Sequence, residues 1–338
     1  MDFSPDEGQQ AVADVVTSVL DRGSGWDALV AGGVTALGVP ERLGGDGVGL
    51  PELTTALTEI GRHGTTGPAL GVLGATAVLV DMASEAQQDR YLGGVAKGSI
   101  VTLALNEPGA ALPDRPASTL SAGKLNGTKI GVPYAAQADW IIVTADTGVV
   151  VVSAKADGVH ASKTPTSNHT DEYVVTFSDV AVSDDALADA TAKRVNQLAL
   201  ATTGAYAAGL VAGALRLTAD YVANREQFGK PLSTFQTVAA QLAEVYIASR
   251  TLTLAATSVV WRLSEGRDAD LDLDVLGYWL ASQAPPVMQL CHHMHGGMGM
   301  DIAYPMDRYY STIKDLTRLL GGPQQRLSLL GASTLVGA

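Results

Sequence analysis

Three groups of residues in the last third of this chain have types and spacings suited to holding a ligand. Arg225 stands just ahead of Gln227 and Phe228, with Gln236 further on. A guanidinium offers several fixed donors to a pyrophosphate, and the nearby amides can hydrogen-bond the groups beside it. Gly296 and Gly297 form a place where backbone can approach a ligand closely. His292, His293 and His295 have the composition of a metal site. Adjacent residues of a helix point in different directions, however, and no convergent fourth ligand is evident, so a metal is not expected. Each group also has a plain structural reading: Arg225 as a solvated charge at a helix end, the paired glycines as a helix stop, the histidines as structural side chains.

The elements that must position these groups follow from periodicity. Ser4-Pro5-Asp6-Glu7 has the form of a capping box with Ser4 as N-cap, and Val12, Val15, Val16 and Val19 then recur at helical spacing until Gly23 and Gly25. Helical patterns, broken around Pro40 to Gly49 and Gly61 to Gly67, continue to about Gly98. Short β-branched or aromatic runs follow at 100–105, 140–144, 149–153 and 173–177, separated by turn residues. Helical periodicity returns near Ala190, with long stretches at 195–223, 234–264 and 274–294. In the second of these Phe235, Val238, Leu242, Val245 and Leu252 share a face, and Gly266 is a stop. Pro285-Pro286 should kink or break the third near Ala284, or mark a boundary between two shorter helices. The fold class expected is mainly α with a small β domain: an N-terminal helical domain at 1–98, a middle β domain at 99–187 and a C-terminal helical domain at 188–338.

Composition excludes several function classes. The net charge of −13 and the lack of any Lys/Arg cluster argue against a nucleic-acid partner. A single cysteine, Cys291, rules out an internal disulfide and a thiolate metal cage. The acidic start Met1-Asp2-Phe3-Ser4 is unlike a signal peptide, and no uninterrupted apolar stretch approaches the roughly 20 residues that span a bilayer. A cytoplasmic protein with no membrane segment is expected.

Helices, strands and helices in that order, together with several local motifs, resemble the acyl-CoA dehydrogenase family. Arg225-Glu226-Gln227-Phe228-Gly229-Lys230-Pro231 followed by Phe235-Gln236 is similar to that family's arginine, phenylalanine, glycine and glutamine signature. His295-Gly296-Gly297-Met298-Gly299 with Tyr304-Pro305 is similar to its Gly-Gly-x-Gly segment and trailing Tyr-Pro. Weaker matches are Asn106-Glu107-Pro108-Gly109-Ala110, Gly127-Thr128-Lys129 before Ala138-Asp139-Trp140, and Phe177-Ser178-Asp179-Val180. The resemblance spans nearly the whole chain. It implies FAD as cofactor, with Arg225, Gln227, Phe228, Gln236, His293, Gly296 and Gly297 contacting a flavin housed by the neighbouring subunit. His293 falls where the family often has a flavin-contacting glutamine.

The departures from the family pattern are concentrated elsewhere. Dehydrogenation needs a carboxylate to take the α-proton while the β-hydride passes to flavin. The position after Tyr304-Pro305 where the family places its glutamate reads Leu320-Gly321-Gly322, and the alternative position reads about Ala199-Leu200. No catalytic residue is therefore assigned to this chain. Where the family has Thr-Glu-Pro-Gly-Ala-Gly-Ser-Asp, the sequence runs from Asn106 through Ala111-Leu112-Pro113, and its Lys-x-Trp-x-Thr appears as Lys129-Ile130-Gly131-Val132-Pro133. The half-site a subunit builds for its own flavin is degraded, while the half-site offered to a neighbour is kept. That asymmetry implies a homologous acyl-CoA dehydrogenase partner carrying the glutamate and about one FAD per heterodimer in an α2β2 assembly, and the resemblance implies an electron-transfer flavoprotein as acceptor. The chain looks like the shorter, base-lacking subunit of actinobacterial steroid side-chain enzymes, whose acyl-CoA substrate is a steroid CoA ester with a propanoyl side chain. Two other readings stay open: a self-sufficient enzyme drawing its base from Glu244 or Asp315, and a flavin-free acyl-CoA-binding scaffold.

Overall fold

A computed structural model describes residues 3–182 and 186–336; Met1 and Asp2 of the acidic start, and residues 183–185 inside the expected β segment, lie outside the described residues. The first helix, α1 (Glu7–Arg22), begins two residues later than the capping box at Ser4 predicts. Asp6 is the reciprocal cap instead: Gln9 N donates to Asp6 Oδ1 at 2.8 Å, and Asp6 N donates to Gln9 Oε1 at 3.0 Å. Val12, Val16 and Val19 are buried, but Val15, expected on the same face, is 47% exposed. The stripe is narrower than the valines suggest.

Helices α2 (Trp26–Ala31), α3 (Leu50–Arg62), α4 (Ala69–Met82) and α5 (Glu85–Leu92) complete the first segment. Strands follow: β1 (Val101–Ala104), β2 (Thr119–Ser121), β3 (Lys124–Pro133), β4 (Trp140–Ala145), β5 (Gly148–Ser153), β6 (Val159–Thr164), β7 (Glu172–Ala181) and β8 (Ala186–Leu187). They form two four-stranded sheets of order β1-β4-β5-β8 and β2-β3-β7-β6, with β1 and β4 parallel and the other pairs antiparallel. The Ile- and Val-rich cores of β4 and β5 are buried on both faces, hence their near-continuous apolar runs. Strand β6 is mostly exposed and polar, which is why its sequence, Val-His-Ala-Ser-Lys-Thr, gave no strand signal.

The C-terminal part consists of α6 (Ala192–Asn224), a small hairpin of β9 (Glu226–Gln227) and β10 (Lys230–Pro231), α7 (Gln236–Ser264), α8 (Asp270–His295), α9 (Met306–Leu319) and α10 (Gly322–Val336). Helix α7 ends as expected, with Gly266 left-handed at φ 63°. Its buried face, however, starts only at Val245 and runs through Ala248, Leu252, Ala256 and Val259. Phe235, Val238 and Leu242, expected on that core face, are only partly buried.

Helix α8 runs unbroken through Pro285 and Pro286, against the expected break. Ala281, Ala284, Val287 and Met288 are all buried around the prolines, so tertiary packing outweighs the lost ladder hydrogen bonds. Helix α6 is long and, on average, apolar enough to cross a membrane, although polar residues interrupt its apolar run. Of that stretch 83% is buried, as in a core helix.

The chain falls into two compact units: Met1–Thr17, Thr54–Thr66 and Gly204–Ala338 form one, and Ser18–Leu53 with Gly67–Thr203 form the other. In the first, the end of α3 crosses α6 backbone to backbone. A Cβ on Gly209 would lie 2.0 Å from the Thr58 carbonyl oxygen, and one on Gly61 would lie 2.2 Å from that of Tyr206. Only glycine allows that approach. In the second unit one apolar core lies among α4, β1, β4, β5 and the start of α6, and another between the two sheets.

Candidate cofactor groove

In the first unit the end of α6, the β9–β10 hairpin, the start of α7 and the end of α8 border a groove of about 520 Å³. Five of the residues singled out in the sequence line it: Arg225, Gln227, His293, Gly296 and Gly297. Helix α6 ends at Asn224, so Arg225 leaves the helix directly into the hairpin, where its carbonyl accepts from Leu232 N at 2.8 Å. The hairpin turn consists of Phe228 and Gly229, both left-handed at φ 54° and 77°. A two-residue turn of this kind requires positive φ at both central positions, and phenylalanine adopts it at a cost of about 1 kcal/mol.

Phe228 and Gln236 do not line the groove. Phe228 projects outward, 91% exposed, touching Phe235 edge-on at 6.1 Å between centroids. Gln236 is the first residue of α7 and is exposed; the helix turns Thr237, Val238 and Gln241 inward in its place. These three were missed, although their spacing puts them on one helical face. Tyr221, also missed, lies one turn before Arg225 on α6, and that i, i+4 relation was a usable signal.

Gly296 has φ 58° and ψ −137°, a conformation open essentially to glycine alone. Gly297 needs no such conformation, and a Cβ added there would meet nothing within 4 Å. No contact among the described residues therefore explains a glycine at 297. A bare backbone facing an open groove that also carries one guanidinium, two amides, two hydroxyls and two imidazoles suits a large phosphate-bearing ligand held against the main chain. The residues present fit the FAD that the resemblance implies.

The three histidines separate. His292 packs its ring on Tyr310 at 4.6 Å, and burial lowers its pKa against the opposing pull of Asp307. His293 is exposed at the groove. His295 is buried and lines the groove as well. Among the described residues no three His, Cys, Asp or Glu converge as a metal site.

Neither family position for the catalytic carboxylate is chemically active. Leu320 is buried between α9 and α10, with Gly321 and Gly322 left-handed beside it, and Ala199 and Leu200 are buried in α6. Of the substitute bases, Glu244 is exposed on α7, and Asp315 is buried beside Arg318 at 3.7 Å.

The loop in place of the flavin-holding motif of the second unit is tied to its own chain. Glu107 accepts from Ala117 N (2.6 Å), Ser118 N (2.9 Å), Ser118 Oγ (2.7 Å) and Lys129 Nζ (2.8 Å). Lys129, fully buried, uses its other donors on Leu105 O (3.3 Å) and Thr144 Oγ1 (3.1 Å). Burial alone would raise the Glu107 carboxyl, but the hydrogen bonds from Lys129, Ala117 and Ser118 prevail and bring it down from 4.5 to about 2. Asn106 Oδ1 accepts from Leu112 N at 2.8 Å, and Asn196 Nδ2 donates to Leu112 O (3.0 Å) and Pro113 O (3.1 Å). Where the family has a tryptophan, Gly131 sits at φ 66° in a bulge of β3.

Comparison with known proteins agrees with this layout. Residues 6–99 match the acyl-CoA dehydrogenase N-terminal domain, and residues 193–335 match the acyl-CoA dehydrogenase C-terminal domain. Acyl-CoA dehydrogenase FadE28 of Mycobacterium tuberculosis is 72% identical over 334 residues, covering 98% of each chain. Two solved structures are similar throughout. The Tcur3481-Tcur3483 steroid ACAD superposes with a TM-score of 0.91 at 28% identity, covering 98% of both chains. The ChsE4-ChsE5 complex from Mycobacterium tuberculosis does so with 0.89 at 26%, covering 99% of both. With its two terminal domains matched and a relative this near across its length, the chain belongs to the acyl-CoA dehydrogenase family, FAD-dependent oxidoreductases acting on CH–CH bonds.

Proposed function

We propose that this chain is the base-lacking subunit of a heteromeric acyl-CoA dehydrogenase that desaturates a steroid CoA ester at its propanoyl side chain, and that it contributes its groove to a flavin housed by a homologous partner. The observation that carries the proposal is a contrast within one chain: Arg225, Gln227, His293, Gly296 and Gly297 converge on an open groove, while both positions for the carboxylate hold Leu, Ala and Gly. Two proteins similar to it along their whole length are described as a steroid ACAD and as a two-component complex, which supports the substrate class and the assembly.

In this reading Arg225 holds the pyrophosphate, Gln227 and His293 hydrogen-bond the cofactor, and the bare backbone at Gly296-Gly297 lets it lie close. Exposed Phe228 packs on it or on the partner at the interface, and Gln236 meets it there too, both outside the groove of this chain alone. FAD, when bound, supplies the acceptor for the β-hydride. The α-proton goes to the partner's glutamate, since neither family position for the base holds an ionisable side chain in this chain. The assembly is α2β2 in the cytoplasm, with an electron-transfer flavoprotein as acceptor.

Purifying the chain alone and with a homologous subunit that carries the glutamate tests this. The expected result is a colourless lone chain, and about half a flavin per chain in the complex by absorbance and mass in solution. A full flavin on a homodimer of this chain overturns it.

A further inference from the structure

Beneath the groove, His295 lies in a chain of hydrogen bonds whose direction can be worked out. Thr218 Oγ1 is 2.7 Å from the Ala214 carbonyl oxygen one turn back on α6, a bond in which only the hydroxyl can donate. With its hydrogen placed there, Thr218 Oγ1 is an acceptor toward His295 Nε2 at 3.2 Å, so Nε2 carries the proton. In the neutral ring Nδ1 is then the bare nitrogen, and Tyr304 OH donates to it at 3.2 Å. The result is one tautomer of a neutral imidazole. A doubly protonated ring would leave Tyr304 unable to donate.

The ring is 2% exposed and stacks on Tyr221, 4.4 Å between centroids, and Tyr221 itself lines the groove. The residue next in sequence is Gly296, whose φ and ψ are open to little but glycine. The same side chain thus touches α6 through Thr218 and Tyr221, and the following loop through Tyr304, at the point where the backbone turns along the groove.

We propose that His295 is a positioning residue of the cofactor groove: a neutral Nε2–H imidazole that, held between Thr218 and Tyr304, fixes the Gly296-Gly297 turn and the Tyr221 ring against which the dinucleotide lies. The inference rests on the reading of the groove as an FAD site. Its surroundings favour the neutral form. Burial lowers the pKa from 6.5 to about 4, and His292 one turn earlier on α8 adds repulsion; the other titratable groups facing the cluster are Tyr221, Tyr304 and, at Thr218, Cys291. Tyr304 donation to Nδ1 also opposes protonation.

The test uses the complex with its homologous partner and FAD itself, with affinity read by flavin fluorescence between pH 4 and 8. His295→Leu removes both bonds and should weaken FAD about tenfold at neutral pH, while Tyr304→Phe should weaken it about threefold. His295→Gln, whose amide can donate on one side and accept on the other, should recover most of the affinity. In Tyr304→Phe the acid loss of flavin should begin at a higher pH, because the bond that opposes protonation of Nδ1 is gone while burial and His292 still hold the pKa down; loss of packing alone would not produce that shift. Affinities of His295→Leu and Tyr304→Phe within about twofold of wild type, with no shift in the pH profile, overturn the proposal. Should His295→Leu fail to assemble, Tyr304→Phe and His295→Gln decide alone. Arg225→Ala separates the two levels: if it releases flavin while the His295 variants retain it, only the role of His295 falls, and if it too retains flavin, the shared-cofactor reading falls.

Discussion

The groove at the end of α8 and the loop from Asn106 to Ser118, which the proposed function assigns to a kept and a degraded half-site, treat their polar groups in opposite ways. In the loop, Glu107, Lys129, Asn106 and Asn196 are committed to bonds within the chain. At the groove, Arg225, Gln227 and His293 are exposed, although Gln227 Nε2 donates to Glu226 O at 2.8 Å, and Gly297 leaves a space that no atom among the described residues fills. Polar groups that satisfy one another build structure, whereas polar groups arranged around open space are available to something else. The comparison separates polar groups that build the chain's own structure from polar groups left around open space.

The sharpest way to break the comparison is Glu107→Leu, which strands the Lys129 ammonium without its counter-charge. Loss of one partner of a buried pair should destabilise the folded chain by about 3–5 kcal/mol in urea unfolding. A loss under about 1 kcal/mol would mean the loop is not held by this pair. The same carboxylate predicts acid sensitivity. Its folded pKa lies below the ordinary 4.5, so its contribution is fully present above that value and is lost as pH falls from 4.5 toward 2. Glu107→Gln should flatten that part of the stability profile.

On the groove side the expected effects are on binding and not on folding. Arg225→Ala should weaken FAD in the complex by about 10- to 100-fold, while the chain's own melting point stays put, since Arg225 is exposed. Asn196→Ala should do the reverse. It frees the Leu112-Pro113 carbonyls, costing about 1 kcal/mol of stability and leaving flavin content unchanged. The smallest stability effect belongs to Phe228→Ala, within about 0.5 kcal/mol because the ring is 91% exposed, yet flavin retention in the complex should fall. If Phe228→Ala instead destabilised the lone chain and spared the flavin, the ring would be part of the scaffold and the contrast would fail.

Much of this was legible in the sequence. Helices, strands and helices could be read from changes of period, because the buried faces of α1 and of α7 beyond Val245, and the apolar runs of β4 and β5, are imprinted by burial itself. The carboxylate positions could be read as empty from residue types alone, since neither leucine nor alanine nor glycine can take a proton. Arg225, Gln227, His293, Gly296 and Gly297 were legible as a group through their resemblance to a family pattern. What sequence could not supply was any term set by neighbours distant along the chain. Pro285 and Pro286 break a helix by local rules, and only packing on both sides keeps α8 whole. Gln236 and Gln241 are equally good amides, and the rotation of α7 alone decides that Gln241 faces the groove. His295 was one imidazole among three until the fold brought the hydroxyl of Thr218, 77 residues away, to 3.2 Å from its Nε2. Residue type determines what a group can do, and tertiary structure determines which partner it meets, because a hydrogen bond or a cavity wall depends on positions within a few ångströms that no local pattern encodes.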